Sequence, residues 1–590
     1  MILQALNDLY DRLAGDESAQ MPQYGYAVQR IAFALVLSRD GGLVGDVDLQ
    51  SHQGRYATPI DLTVPSISKK RTSGIEPNFL WDKTEFSLGL GANRKEERTA
   101  EEHLAFKCLH KELATGTDDE GLRALLLFLD SWKPTEASAR LRNWPDIIGK
   151  NIVFRLDQDE SYLHSRPALV KRWAEHLSKK SSEHQARCLV TGDLSPIARL
   201  HPPIKGMLNS KQAETAIVSF NKDKKSFESF GKEQNFNAPV GERAAFGYSA
   251  SLNWLLRTDN KRKIRIGDAT TVFWAERKTP AEDLLAALFD PPAEQEANAK
   301  DAANHDDPAA TARVREVLQA AKAGKPVGQV DPALDPDVRF YILGLSPNNA
   351  RLAVRFWNVS TFGQLVRRIG HHFRDMGIER HQPGRDPEYP SLRQVILETA
   401  PPKKTSRGVE RDAEKISPLL SGALTRSILT GSLYPRSFFT AILGRIRADK
   451  DVNYLRAAIL KACLVRNHQM EVSMSLDIER REPAYRLGRL FALLEKAQKD
   501  ATNPVATIRD RYFGAASATP AAVFPQLLRL GQHHISNPRA EYAGYTDRLI
   551  AEVVDGIDRL PKHLSLEEQG LFTIGYYHQR NALYRKGDKE

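Results

Sequence analysis

Cysteine is scarce in this chain of 590 residues, and its three copies, Cys108, Cys188 and Cys463, lie far apart. No two of them form a CxxC pair, which excludes a disulfide framework and a cysteine-rich zinc module. Unpaired cysteines are typical of proteins in a reducing compartment. The sequence therefore predicts a cytoplasmic protein.

Long apolar runs and common enzyme motifs are also missing. No stretch approaches the roughly 18 consecutive apolar residues of a membrane span. The first residues, 1–15, lack the basic start of a secretory signal. The sequence contains no GxxxxGK(S/T), HExxH or GxSxG motif, so it carries no signature of a phosphate-loop ATPase, a zinc protease or a serine hydrolase. We expect no catalytic residue, no metal site and no cofactor.

Acidic residues do not balance the basic ones. Lys and Arg number 84 against 74 Asp and Glu, which gives a net charge of +10. Segment 280–308 alone contributes −7, so the remainder of the chain carries +17. An excess of this size attracts polyanions, above all nucleic acid. The charge alone is explained equally well by a basic soluble protein that has no such partner.

The spacing of apolar residues predicts an α+β protein, with a mixed N-terminal body containing antiparallel strands and a C-terminal helical bundle. A hairpin is expected within 340–357. The predicted helices are 2–14, 99–113, 120–132, 309–323, 361–374, 453–467, 484–499, 521–534, 540–558 and 565–585. The other predicted strands are 30–37, 43–49, 151–156, 187–191, 215–220 and 270–274.

Composition divides the chain into four predicted regions. Residues 1–279 form an α+β region, and 280–337 form an acidic, Ala- and Pro-rich linker or insertion. Residues 338–414 continue the body with a hairpin and a helix, and 415–590 form the helical bundle.

Three basic loops have the composition of a nucleic-acid surface. Residues 69–74, KKRTSG, place three cations beside hydroxyl side chains, which suits phosphate contacts. Residues 221–237, NKDKKSFESFGKEQNFN, interleave lysines, amides and aromatics that can stack on bases or wedge between them. The third lies in a basic patch, 401–450, whose Pro-containing loop holds Lys403 and Lys404. A solvated basic turn is the alternative interpretation of each.

An enzymatic alternative rests on carboxylates. Asp157, Asp159 and Glu160 follow a predicted strand and offer oxygen ligands to the Mg²⁺ of a nuclease, although a solvated loop is the more ordinary interpretation. The adjacent histidine pairs at 371–372 and 533–534 suit joint metal binding poorly, because neighbours on a helix point about 100° apart.

Six long segments carry a family resemblance. They are MILQALNDLYDRL (1–13), RTSGIEPNFLWDKTEFSLG (71–89), CLVTGDLSPIARLHPPIKG (188–206), SFNKDKKSFESFGKEQNFNAPVGERAAFGYSASLNWLL (219–256), IGDATTVFWAE (266–276) and YILGLSPNNARLAVRFW (341–357). Together they resemble the large subunit of the type I-C CRISPR surveillance complex, Cascade. The acidic segment 280–308 matches nothing in that family.

The resemblance implies a non-catalytic subunit of a crRNA-guided antiviral ribonucleoprotein. Its partners in the family are the crRNA-bound backbone and 5′-handle subunits, a small subunit and a helicase-nuclease, without a membrane. The subunit recognises a protospacer-adjacent motif (PAM) in double-stranded target DNA and promotes R-loop formation, while base pairing reads the target. A metal-dependent nuclease and a purely scaffolding subunit of a ribonucleoprotein stay open as alternatives.

The choice of DNA-binding residues rests on the chemistry of the loops, because the resemblance supplies no residue-level motif. Cations are assigned to phosphates, and Asn78 and Lys83 to the neighbourhood of the minor groove. Phe236 is a candidate wedge between bases, with a core anchor as the alternative. The full candidate set is Lys69, Lys70, Arg71, Asn78, Lys83, Lys222, Lys224, Lys225, Lys232, Gln234, Asn235, Phe236, Asn237, Lys403 and Lys404.

The resemblance has a second implication for the C-terminal helices. Genes of this family can use an internal start codon to produce a separate small subunit. Met470 and Met474 precede LDIERREPAYRLGRLFALLEKAQ, and a product from either has about 120 residues. Both are otherwise ordinary residues of a helix connection. Arginines that could carry DNA contacts in such a product are Arg480, Arg481, Arg486 and Arg489.

Overall fold

The computed structural model divides the chain into two compact units. The first comprises Met1–Thr258 and Pro347–Leu352, and the second comprises Asp259–Ser346 and Ala353–Glu590. The structure describes residues 1–53, 56–66, 74–91, 95–180, 184–207, 210, 214–221, 231–266, 269–291, 308–405, 408–537 and 543–585.

The first unit mixes helices with short strands. Its helices are α1 (Ile2–Ala14), α2 (Thr84–Ser87), α3 (Glu96–Ala114), α4 (Glu120–Ser131), α5 (Ala137–Arg140), α6 (Pro167–Lys180) and α7 (Glu242–Leu255). Its strands are β1 (Tyr26–Ile31), β2 (Phe33–Leu37), β3 (Leu43–Asp48), β4 (Ser51–Gln53), β5 (Tyr56–Thr58), β6 (Ile60–Pro65), β7 (Trp81–Lys83), β8 (Asn151–Leu156), β9 (Gln185–Arg187) and β10 (Leu194–Pro196).

A four-stranded sheet organises the core of the first unit. Its order is β3-β2-β8-β7, in which β2 and β8 run parallel and the outer pairs run antiparallel. All of β2, FALVL, is buried, as expected for a strand covered on both faces. On one face Phe154 packs in a cluster with Phe106 of α3, Phe128 of α4 and Trp173 of α6. The strand pairs β1–β6, β4–β5 and β9–β10 are antiparallel.

The second unit is mainly helical. Its helices are α8 (Ala281–Phe289), α9 (Pro308–Lys322), α10 (Val327–Val330), α11 (Phe362–Met376), α12 (Leu392–Leu397), α13 (Pro418–Thr430), α14 (Arg436–Asp449), α15 (Tyr454–His468), α16 (Pro483–Thr502), α17 (Ile508–Ala518), α18 (Pro520–Ile535), α19 (Ala543–Asp555) and α20 (Leu566–Tyr584). Its strands are β11 (Lys263–Ile266), β12 (Ala269–Ala275), β13 (Arg339–Asn348), β14 (Arg351–Thr361), β15 (Pro402–Thr405) and β16 (Gly408–Arg411).

One apolar core runs through the second unit. It joins Phe273 and Phe340 of the β11-β12-β13-β14 sheet to Leu365 of α11, Ile459 of α15 and Phe491 of α16. The apolar side chains of α8 and α9 pack in this core, although both helices lie in the segment predicted as a linker. No described helix combines the length and apolar composition that crossing a bilayer requires.

The predicted α+β class is confirmed, with small sheets mainly in the N-terminal half and helices in the C-terminal part. The predicted strands 187–191 and 215–220 are wrong. Residues 188–193 form the turn between β9 and β10, and 215–216 make only isolated bridges, to Ile204 and Arg351. The compact units divide after Thr258 and again on either side of Pro347–Leu352. The four regions defined by composition stay a prediction.

Candidate nucleic-acid interface

A cleft in the first unit is lined by two of the candidate residues, Lys232 and Phe236. Its volume is about 940 Å³, and its walls come from 196–202, the 231–239 loop, the start of α7 and the segment before β1. Arg199 and Lys232 bring positive charge to its wall, and Glu233 and Glu242 contribute two carboxylates. Tyr24 donates a hydrogen bond of 3.0 Å to Glu242, so this carboxylate is engaged within the wall.

The loop 231–239 is folded onto itself by its own amides. Asn237 donates from Nδ2 to the backbone oxygens of Lys232 and Gln234, both at 2.9 Å. Gln234 begins a short 3₁₀ helix, Gln234–Asn237, with φ at +45°, a left-handed conformation that costs energy for a residue with a side chain. Arg199 donates to Gln234 Oε1 at 2.9 Å, which ties the loop to the opposite wall.

Asn235 and Phe236 face inward more than their sequence context indicates. Asn235 is only 1% exposed, and its Oδ1 has no hydrogen-bond partner among the described residues. Phe236 stacks on His184 with 4.6 Å between ring centroids and 12° between planes. The buried Asn235 therefore anchors the loop, while the Phe236–His184 pair presents an aromatic surface to the cleft.

Two residues that line this cleft are sequence neighbours of lysine-containing segments. Ser66 and Gly231 line it, and they adjoin segments 67–73 and 222–230 in the chain. Those segments contain Lys69, Lys70, Arg71, Lys222, Lys224 and Lys225, which all lie outside the described residues.

Cys188 organises the turn that supports the cleft. Its Sγ accepts hydrogen bonds from the backbone N–H groups of Val190 at 3.3 Å, Thr191 at 3.5 Å and Gly241 at 3.2 Å. Burial alone would raise the pKa of the thiol, but these N–H donors lower it. The turn is thereby joined to the residues that lead into α7.

Asn78 precedes β7, and Lys83 is the last residue of that strand, directly before α2. Asp82, 1% exposed, accepts hydrogen bonds of 2.8 Å from the backbone N–H groups of both residues. The Lys83 side chain is exposed, whereas Asn78 is half-buried. Asp82 thus fixes the backbone from which Lys83 projects, and neither Asn78 nor Lys83 lines the cleft.

Lys403 and Lys404 belong to the second unit. Both are exposed on β15, which pairs with β16 in a hairpin. Arg411, the last residue of β16, forms ion pairs with Glu398 at 3.2 Å and with Asp449 at 2.6 Å. The hairpin therefore exposes two lysines, and the ion pairs of Arg411 with Glu398 and Asp449 hold its end in place.

The carboxylates of the nuclease alternative are not gathered into a metal site. Asp159 pairs with Arg166 at 2.8 Å, and Asp119 holds the same guanidinium at 2.9 Å. Asp157 and Glu160 are exposed. Within the part of the chain that the structure describes, no group of three or more His, Cys, Asp or Glu residues could hold a metal ion. His372 is buried and hydrogen-bonded to Tyr434 at 2.7 Å.

Three of the C-terminal arginines hold the segment before α16 in place. Arg480 donates to the backbone oxygen of Glu471 at 2.6 Å, and Arg486 donates to the backbone oxygen of Arg480 at 2.8 Å. Arg489 is buried and donates to Gln579 at 3.0 Å. These three side chains therefore serve structure in the full chain.

Sequence reasoning did not single out Arg199 or His184. Arg199 lies in the matched segment 188–206, but nothing in its spacing distinguishes it from other arginines. Its position opposite Gln234, 35 residues away, arises only from the folded chain. His184 precedes that segment and gives no local signal.

Comparison with known proteins identifies the family. A search of curated proteins found no match. A family model described as CRISPR-associated protein (Cas_Csd1) matches residues 6–584, nearly the whole length. The match covers both compact units and every candidate residue. The chain is therefore a member of the CRISPR-associated Cas_Csd1 family.

Proposed function

We propose that this chain is the non-catalytic large subunit of a type I-C Cascade complex and that it recognises a PAM in duplex DNA. The cleft of the first unit carries the proposal, because it combines Arg199, Lys232 and the Phe236–His184 stack. In this role the subunit promotes R-loop formation and recruits a helicase-nuclease. Its other partners are the crRNA-bound backbone subunits, the 5′-handle subunit and a small subunit in the cytoplasm.

The chemistry of the cleft suits a short DNA motif. Arg199 and Lys232 can donate to phosphates or to acceptor atoms on base edges. The Gln234 amide oxygen accepts from Arg199, which leaves the amide nitrogen of this neighbouring residue to donate to an acceptor on a base edge. The aromatic pair offers a face on which an unstacked base can rest. Because a guide RNA reads the target by pairing, the protein needs only such a short-range site.

Replacing Arg199 by alanine tests this proposal. In the assembled complex, binding is measured to a duplex library randomised beside a guide-matched target. The preference for the favoured flank is expected to fall about tenfold or more, since one good contact to a base is worth about 1–3 kcal/mol. Arg187→Ala is the matched control: this exposed arginine lies on the neighbouring β9 but does not line the cleft.

Two other results would favour the alternative functions. In the library experiment, equal binding to every flank, with or without the chain, would contradict motif recognition and favour the scaffolding role. In a separate cleavage assay, Mg²⁺-dependent cleavage by the purified chain that is lost in Asp157→Ala would favour the nuclease.

An internal start is the second part of the proposal. Met470 and Met474 lie in the connection between α15 and α16, so a product from either would contain α16–α20 without cutting a helix. We expect a polypeptide of about 120 residues to accompany the full chain, with its N-terminus at one of these methionines. N-terminal sequencing identifies it, and Met470→Leu/Met474→Leu should remove it. Recovery of the full chain alone would contradict this part.

A further inference from the structure

One side of α11 carries exposed basic side chains, two arginines and a histidine whose pKa is lowered by burial and next by the charge of Arg374. Arg367, His371 and Arg374 recur at spacings of four and three residues and are all exposed. Such spacing places side chains on one helix face. The opposite side, including Leu365 and Phe373, is buried in the core of the second unit. We call Arg367, Arg368, His371 and Arg374 the α11 basic face.

Carboxylates do not neutralise this face. Among the described residues, Arg367, Arg368 and Arg374 form no ion pair with an acidic side chain. Arg368 instead donates to Ser360 at 3.1 Å and to the backbone oxygen of Leu429 at 2.7 Å. Arg374 donates to the backbone oxygen of Lys322 at 3.0 Å. These contacts hold the guanidinium groups in place but leave their charge uncompensated.

The acidic residues near the α11 basic face do not cancel its positive charge. Asp375 pairs with Arg466 of α15 at 2.6 Å, and Glu388 pairs with Lys322 of α9 at 3.3 Å. Both carboxylates are therefore already engaged by cations from neighbouring helices. Burial, and next the positive charge of Arg367, lower the pKa of Arg368. The cations consequently repel one another in the free protein, and a bound polyanion would relieve that repulsion.

We propose that the α11 basic face binds the phosphate backbone of a single nucleic-acid strand. A single line of cations on an otherwise buried helix matches one backbone rather than the two that border a groove. Arg367 and Arg374 are about 10 Å apart along the helix axis, at 1.5 Å per residue. At that separation the two guanidinium groups can contact different phosphates of one strand. The face adds a sequence-independent contact to the motif recognition proposed for the cleft.

A salt titration of the full chain tests this inference. Binding of fluorescent 30-residue oligothymidine is measured at several salt concentrations for the wild type and for Arg367→Gln/Arg374→Gln. Each lost contact to single-stranded phosphate should reduce the slope of log K against log salt by about 0.7, so the double variant should lose about 1.4. Its affinity at moderate salt is expected to fall about tenfold.

The matched control removes the same amount of charge from compensated positions. Lys111 faces Asp130 at 2.9 Å and Arg123 pairs with Asp118, and all four side chains are at least half exposed. Lys111→Gln/Arg123→Gln should leave the slope unchanged. An equal loss in both double variants would show a general charge effect and overturn the inference. Thermal unfolding of each variant verifies that the fold is intact.

Two further outcomes bear on the identity of the partner. An unchanged slope in Arg367→Gln/Arg374→Gln would remove α11 from the nucleic-acid surface and point to an acidic protein partner. A loss seen with a duplex probe but not with oligothymidine would overturn the single-strand assignment. Neither result affects the proposed PAM recognition, because oligothymidine carries no duplex flank.

Discussion

Replacing Gly488 by alanine is expected to lower the free energy of unfolding of the second unit by about 3 kcal/mol or more. Gly488 lies where α16 crosses α20. A Cβ atom there would be 2.0 Å from the backbone oxygen of Phe572 and 2.8 Å from the backbone nitrogen of Tyr576. Because both atoms belong to a helix backbone, a side-chain rotation cannot relieve the overlap.

Glycines on both helices allow α16 and α20 to approach closely where they cross. A Cβ atom at Gly575 of α20 would lie 2.2 Å from the backbone oxygen of Tyr485 in α16. Small residues at such a point let two helix backbones approach. The aromatic rings of Phe491, Phe513 and Phe572 pack edge to face in the adjoining core, so separating the helices would also disturb them.

Gly444→Ala is the matched control for this prediction. Gly444 lies within α14 of the same unit, and a Cβ atom there would meet nothing within 4 Å. Alanine is the better helix former, so this variant should gain up to about 1 kcal/mol. Urea unfolding followed by circular dichroism measures both. Similar stability of the two variants would show that the helices are not held at this distance.

The helices of the second unit illustrate what the sequence can predict. Apolar spacing placed helices at 453–467 and 484–499, and the structure has them at Tyr454–His468 and Pro483–Thr502. The same spacing says which face is apolar but not which helix covers it. The reciprocal contacts of Gly488 and Gly575 therefore could not be predicted, because they depend on a partner distant in the chain.

For the candidate cleft, in contrast, most of the geometry could not be predicted from the sequence. Composition identified residues 221–237 as an interaction loop, but the burial of Asn235 and the contact of Arg199 with Gln234 required the folded chain. The predicted strand at 187–191 failed for a local reason. Its apolar run is interrupted by a turn in which Cys188 accepts backbone N–H groups and Leu189 is 68% exposed. Apolar content alone cannot distinguish such a turn from a strand.

A buried charge network beneath the β15–β16 hairpin should be the second place at which a substitution strongly lowers the stability of the second unit. Arg456 has no exposed surface and donates to Glu398 at 2.8 Å, to Asp449 and to the backbone oxygen of Asp451 at 2.9 Å. Burial would raise the pKa of Asp449, but hydrogen bonds from Arg445, Arg456 and Arg411 lower it to about 2. The network therefore couples the base of the hairpin to α14 and α15.

Arg456→Met is expected to destabilise the second unit by about 3–5 kcal/mol, because it leaves Glu398 and Asp449 buried with too little positive charge. The matched control is Arg548→Met, since Arg548 and its partner Glu552 are 68% and 58% exposed and such pairs contribute about 0–1 kcal/mol.

The two substitutions should also differ in their pH dependence. The lowered pKa of Asp449 stabilises the folded wild type above pH 4, and this contribution disappears as the pH falls through 2. The stability difference between wild type and Arg456→Met should therefore shrink between pH 4 and pH 2, whereas the Arg548→Met difference stays small. Urea unfolding across this range measures it. A loss of 1 kcal/mol or less for Arg456→Met at neutral pH would show that Arg411 and Arg445 suffice to hold the hairpin base.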